Sequence, residues 1–292
     1  VEVAKKRRLP DLLYGFYLLC HPGPVLFHIL AVTAFALLAA WPHLVWSTLA
    51  LVIAAHTAMQ LSIAILNDYC DRQRDTLSKK HKPLPLGLVR PREALIAGIL
   101  LMVVMVVLLL PLPPLALLIS LLYLALGQGY NLGLKSTPLS GIVFALAIPL
   151  IPLYAFVGVG HITPFVLWLV PVAALLGVVL NLANSLPDIE EDTASSARTL
   201  AVVLGVKNTF LLCSMLLFLA ALLVGLLALT QLVPAQPWVL LPTLLLVCVA
   251  LVALSIVSGP RKQMKTRKTY FYIVVLTCLV LAAGWLISAL SS

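Results

Sequence analysis

Nine apolar runs, each long enough to cross a bilayer as a helix, occupy almost the whole chain and leave no stretch for a separate soluble domain. A hydrocarbon core about 30 Å thick takes about 17 to 25 apolar residues in helical form, because a backbone without water must satisfy its own hydrogen bonds. The runs fall roughly at residues 14–42 (only part of it in hydrocarbon), 44–66, 93–111, 113–129, 138–157, 164–185, 208–230, 236–257 and 270–290. With 62% of residues hydrophobic and 10% charged, the composition excludes an ordinary soluble core. The expected fold class is all-α, a polytopic membrane protein with nine transmembrane helices.

The placement of Lys and Arg tests that count. If the KKRR tail (Lys5 to Arg8) is cytoplasmic, nine alternating spans put all 19 basic residues on that side. They lie in the tail, between Arg72 and Arg92, at Lys135, at Arg198 and Lys207, and between Arg261 and Lys268. The opposite connections, WPH, LPLPP, GVGHIT and TQLVPAQP, carry none, which is the positive-inside pattern. A cytoplasmic N-terminal tail of about residues 1–13 and a C-terminal Ser292 on the far side are expected. The net charge of +9 then reads as topology and attraction to anionic membrane lipid, with no nucleic-acid partner. KKRRLPDLLYGFYLL is not read as a signal peptide, since no small-residue cleavage site follows it. The five cysteines show no metal spacing and read as packing residues.

Ten acidic residues are unevenly placed. Glu2, Asp11 and Glu93 are scattered, whereas three lie in NDYCDRQRD (67–75) and four in LPDIEED (186–192), at the same ends of the second and sixth runs. At about 100° per residue, Asn67, Asp71, Asp75 and Asp68 fall on one helix face about 100° wide. Asn181, Asn184, Asp188, Asp192 and Ser185 form a similar stripe if the helix continues, with Glu191 just beyond it and Glu190 pointing away. Either cluster alone also fits a solvated helix end with its acids paired to Arg72, Arg74, Lys79 and Arg198. Both together, on one side, are better explained by a cation held among like charges. Hard oxygen ligands of this kind suit Mg²⁺ with phosphate oxygens.

NDYCDRQRD resembles the N-D-x-x-D-x-x-x-D motif of the UbiA superfamily of intramembrane prenyltransferases. KPLPLG (Lys82 to Gly87) is similar to that family's R-P-[IL]-P-x-G element, DIEED with RTLAVVLG (Arg198 to Gly205) to its second aspartate motif and tail, and YNLGLKSTP (Tyr130 to Pro138) to the stretch after its fourth span. The resemblance runs from about residue 15 to 290. It implies a single domain over 1–292, nine transmembrane helices around a central cavity, in a bacterial or archaeal plasma membrane. It also implies a Mg²⁺-dependent enzyme that moves an isoprenyl group from an allylic isoprenyl diphosphate to a lipophilic acceptor. Asp68, Asp71, Asp75, Asp188 and Asp192 would hold the metal and the diphosphate, with the second and sixth spans side by side. Lys135, Arg72 and Arg198 are candidate phosphate contacts, and Tyr130 is either at the reacting site or an interfacial anchor. Asn67, Asn181, Asn184 and Ser185 would complete the substrate site.

The chain departs from the family pattern at Ser185, where many members carry another aspartate, at Ser195 and Ser196, where a glycine is usual, and at His21 in CHPGP, where an arginine is common. His28, His56 and Gln60 are placed either along the cavity or in structural hydrogen bonds. The segment GPRKQMKTRK (259–268) reads as a solvated loop at the headgroups. Six residues separate Asp75 from KPLPLG, a short spacing that resembles chlorophyll-synthase and archaeal ether-lipid enzymes more than 4-hydroxybenzoate enzymes. A cyclase of the same superfamily, acting on the prenyl diphosphate alone, would carry the same motifs. An ion-coupled transporter would need polar residues continuing to the far side, where this chain has no charge.

Overall fold

The computed structural model describes residues 8–258 and 264–290. Most of the basic tail, part of the 259–268 segment and Ser292 lie outside the described residues. The described elements are all helical: α1 (Leu9–Leu19), α2 (Pro22–Ala40), α3 (Trp46–Ser78), α4 (Pro91–Leu109), α5 (Pro114–Asn131), a 3-10 turn (Leu134–Ser136), α6 (Ser140–Gly158), α7 (Pro164–Ser185), α8 (Ile189–Ala194), α9 (Leu200–Leu229), α10 (Pro237–Val257) and α11 (Met264–Leu290). Among these, nine are long and apolar enough to cross a membrane, so the chain is an integral multi-pass membrane protein.

Two boundaries differ from the sequence reading. The first run is not one helix: it breaks at His21, whose φ of 46° is left-handed, and α2 restarts on Pro22. A proline in the first helical turn loses no hydrogen bond, so CHPGP ends one helix and starts the next. The seventh span begins earlier than residue 208 and kinks at Gly205 (φ 73°, ψ 162°). There the Thr209 hydroxyl donates to the Gly205 carbonyl at 2.8 Å, with the Ala201 carbonyl 3.3 Å away, so the interrupted ladder is satisfied without water.

The chain divides into two compact units. The first comprises residues up to Leu132 plus Leu150–Thr163, and the second Gly133–Pro149 plus the residues from Pro164 onward. In the first unit α3 is central, packed against α1, α2, α4 and α5. Lipid tails give helices no hydrophobic reason to associate, so close approach through small residues does much of the work. Gly98 of α4 lies against Leu66 and Gly127 of α5 against Ile63, where an added Cβ would meet those side chains at 2.5 and 2.6 Å. Inside the bilayer, polar groups satisfy one another: Gln60 Nε2 lies 3.2 Å from both His28 Nδ1 and His56 Nε2. His56 also stacks on Tyr154, whose hydroxyl donates to the Val52 carbonyl at 2.8 Å. Those contacts give His28, His56 and Gln60 structural partners.

In the second unit α7 packs against α9 and α11, and α10 against α9 and α11. Leu241, Leu245, Val249 and Ile256 of α10 are exposed, as expected of a face turned to lipid.

Candidate active site

α3 runs unbroken for 33 residues, so Asn67, Asp68, Asp71 and Asp75 keep the shared face that the helical spacing gives them. Asp68 and Asp75 are each only 2% exposed, and two buried carboxylates about two turns apart on one helix face need compensation. Lys82 supplies it. Its Nζ donates to Asp68 Oδ1 at 2.9 Å and to Asp75 Oδ2 at 2.8 Å, and His21 Nε2 lies 3.1 Å from the same Asp68 oxygen. Burial alone would lower the Lys82 pKa, but hydrogen bonds to Asp75 and Asp68 and their charges hold it above the ordinary lysine value.

Local structure explains why Lys82 sits there. In the loop after α3, the amides of Leu86, Gly87 and Leu88 bond back to the carbonyls of Lys82, Leu84 and Pro83, each at 3.0 Å. Gly87 has φ 71°, a conformation that costs glycine nothing. Leu84 and Val89 then bury themselves with Leu19, Ile65 and Ala94 of three helices, which anchors the loop over the acids. The break that ends α1 likewise aims His21 at Asp68.

The remaining residues of the first motif are held differently. Asp71, 12% exposed, pairs with Arg74 one turn on, at 3.4 Å. Arg72 folds back: its Nη1 donates to the Tyr69 carbonyl at 2.7 Å, and its guanidinium stands 4.2 Å from the Tyr69 ring centre. Asn67 Nδ2 donates to Asn131 Oδ1 at 2.8 Å, and Asn131 Nδ2 to the Ile63 carbonyl at 2.9 Å. These bonds fix the end of α5 that carries the half-buried Tyr130 against α3.

The second motif is built on a helix break, not on the continuous stripe expected. α7 ends at Ser185, and α8 is a separate turn starting at Ile189. Pro187 explains this, since a proline disfavours helical backbone at the residue before it and cannot donate within a helix. Asn181 is buried and accepts from the Ser140 hydroxyl at 3.2 Å, and the Ser185 hydroxyl donates to the Asn181 carbonyl at 3.0 Å. Asn184 and Asp188 are exposed. The Asp192 amide donates to the Asp188 carbonyl at 2.8 Å, so the two aspartates stand one turn apart. The Arg198 amide donates to the Ser136 carbonyl at 2.9 Å, which brings the backbone of Arg198 beside the short turn containing Lys135.

Four residues with clear roles in this geometry escaped the sequence reading: Lys82 and His21 as partners of Asp68, Asn131 as partner of Asn67, and Arg267. Arg267 belongs to the basic segment read as solvated, yet it is 6% exposed and ion-paired with Glu190 at 2.6 Å. A signal existed for Lys82, since it opens the KPLPLG element seven residues after Asp75. The other three partners lie far from their mates in sequence.

Comparison with known proteins bears on the fold and the family. The digeranylgeranylglyceryl phosphate synthase of Natronomonas pharaonis is 32% identical over 147 residues, 49% of this chain and 52% of that protein. The chain thus spans about half the length of such curated relatives. A solved structure of digeranylgeranylglyceryl phosphate synthase superposes with a TM-score of 0.76 at 17% identity, covering 97% of this chain and all of the other. A UbiA homologue from Archaeoglobus fulgidus, bound to GPP and Mg²⁺, gives 0.69 at 16% identity over 92% of this chain and 99% of its own. Residues 27–276 match the UbiA prenyltransferase family, and since that is most of the sequence, the chain belongs to this family.

Proposed function

We propose that this chain is a Mg²⁺-dependent prenyltransferase that moves an isoprenyl group from an allylic isoprenyl diphosphate to a lipophilic acceptor. The observation that carries the reading is the cation already held between two carboxylates: Lys82 fills a bay between Asp68 and Asp75 that attracts positive charge. The donor set fits Mg²⁺. Among the described residues no three His, Cys, Asp or Glu side chains converge to hold a metal by themselves, and Mg²⁺ does not require that. It keeps several waters and takes one or two carboxylates together with substrate phosphates. Asp68, Asp71, Asp75, Asp188 and Asp192 are the residues that would hold it. Mg²⁺ held there would supply positive charge to offset that of the diphosphate leaving group.

The chain's own residues divide the remaining work. Asp68, with His21 and Lys82 on one oxygen, keeps the Lys82 cation at the motif, and Lys82, Lys135 and Arg198 offer positive charge to the phosphates. The C1–O bond of the allylic diphosphate breaks with its electron pair going to diphosphate. The acceptor then attacks C1 and gives up a proton. Tyr130 presents an aromatic face to the cationic carbon, while Asn67, Asn181, Asn184, Ser185 and Arg72 shape and support the two motifs. The short spacing before KPLPLG and the likeness to digeranylgeranylglyceryl phosphate synthases favour a glyceryl phosphate lipid over an aromatic acid as acceptor. The one-sided distribution of Lys and Arg supports a cytoplasmic position for both motifs.

The test is a membrane assay with prenyl diphosphates of graded length, a prenylglyceryl phosphate or an aromatic acid, and mass spectrometry of the lipids. Inside-out vesicles should form a prenylated acceptor and release diphosphate only with Mg²⁺. A hydrocarbon formed without acceptor would make the chain a cyclase, and no diphosphate release with any substrate would end the reading.

A further inference from the structure

Arg267 lies in the first turns of α11, at the end of the basic segment, and its guanidinium is withdrawn from water. Nη1 donates to Glu190 Oε2 at 2.6 Å and to the Leu186 carbonyl at 3.3 Å. Those acceptors lie two residues after and two residues before Asp188. The Leu186 carbonyl follows the end of α7, where unpaired carbonyls and the helix dipole favour a cation. Glu190 is 67% exposed, so packing does not explain its geometry. Nε of Arg267 is buried without a partner, a cost that an apolar side chain in this position would avoid.

The rotation of α8 is what this contact decides. The helix has six residues, with a break before it and another after, and Ile189 is its buried anchor. Asp188 and Asp192 share one side of it, whereas Glu190 is about 200° away from each. A guanidinium gripping Glu190 therefore turns both aspartates to the opposite side.

We propose that Arg267 is a positioning residue for the second acidic motif: by holding Leu186 and Glu190 it sets the rotation of α8 and so aims Asp188 and Asp192. The inference rests on the function proposed above. It makes Glu190, which carries no role in the sequence reading, the handle of the motif.

The test titrates Mg²⁺ at fixed inorganic pyrophosphate and follows the melting temperature of the purified protein, alongside kcat and KM for the prenyl diphosphate. Glu190→Gln should melt like the parent without Mg²⁺ yet need about tenfold more Mg²⁺ for half of the stabilisation, the range seen when a residue behind a metal ligand is changed. Arg267→Met should need more still, and Arg267→Lys, which keeps the charge, should fall between parent and Arg267→Met. KM for the diphosphate should rise in the same order. Should Glu190→Gln and Arg267→Lys keep the parent's Mg²⁺ requirement, the positioning role is overturned and Arg267 is only a packing group. Glu190→Gln alters an exposed side chain, so the result does not depend on Arg267→Met folding. Failure of the underlying function looks different: the parent itself would show neither stabilisation by Mg²⁺ with pyrophosphate nor turnover.

Discussion

The two acidic motifs use the same residue types but are built in opposite ways. The first lies on an unbroken helix, and two of its aspartates are buried and share the charge of Lys82, with His21 within hydrogen-bond distance of Asp68. The second lies at a helix break, with Asp188 exposed and the control exerted from behind, through Glu190 and Arg267. A carboxylate withdrawn from water must have its charge balanced in the resting protein, while an exposed one needs only its direction fixed. The first motif should thus be coupled to stability and the second should not.

The largest expected effect separates activity from that coupling. Asp71→Ala should lower turnover by orders of magnitude and cost less melting temperature than removing Lys82, since Arg74, 43% exposed, stays hydrated when Asp71 is lost. Asp188→Ala should match it, and the double variant should be little worse than either alone if both motifs serve one reaction. Independent, multiplying losses measured by single-turnover assay would split the motifs into separate functions.

Lys82→Met probes the contrast through stability. It leaves Asp68 and Asp75 buried without their shared cation, which should cost about 3 kcal/mol, read as a lower melting point without ligand. Added Mg²⁺ should restore part of it by taking the vacated charge. No change in melting would mean that the first motif is as loosely built as the second. His21→Ala, which leaves Lys82 on Asp68, should be milder, about 1 kcal/mol.

How much of this was legible depends on whether local rules held. The stripe from Asn67 to Asp75 was readable because nothing in NDYCDRQRD interrupts a helix. The corresponding stripe from Asn181 to Asp192 was drawn across Pro187, and the proline broke it, although LPD announces the break. The division of the first run at His21 was likewise signalled by CHPGP but hidden by the apolar residues on either side. Lys82, seven residues from Asp75, lay within reach of sequence reasoning. The Arg267–Glu190 pair spans 77 positions, and no local pattern distinguishes a buried arginine in a basic run from its solvated neighbours.

The continuity of α3 also makes the protein a gauge of bilayer thickness. Trp46, exposed where aromatic side chains settle at a membrane surface, and Asp68 are 22 residues apart on one rod, about 33 Å by helical rise. That is close to the thickness of the hydrocarbon layer itself. With no hinge between them, a thicker layer draws the carboxylates toward the oil and a thinner one lifts them into the headgroups, unless the helix tilts. Acyl-chain length of the host lipid therefore acts on the chemistry at Asp68, and reconstitution across a series of lipid lengths would show turnover passing through a maximum.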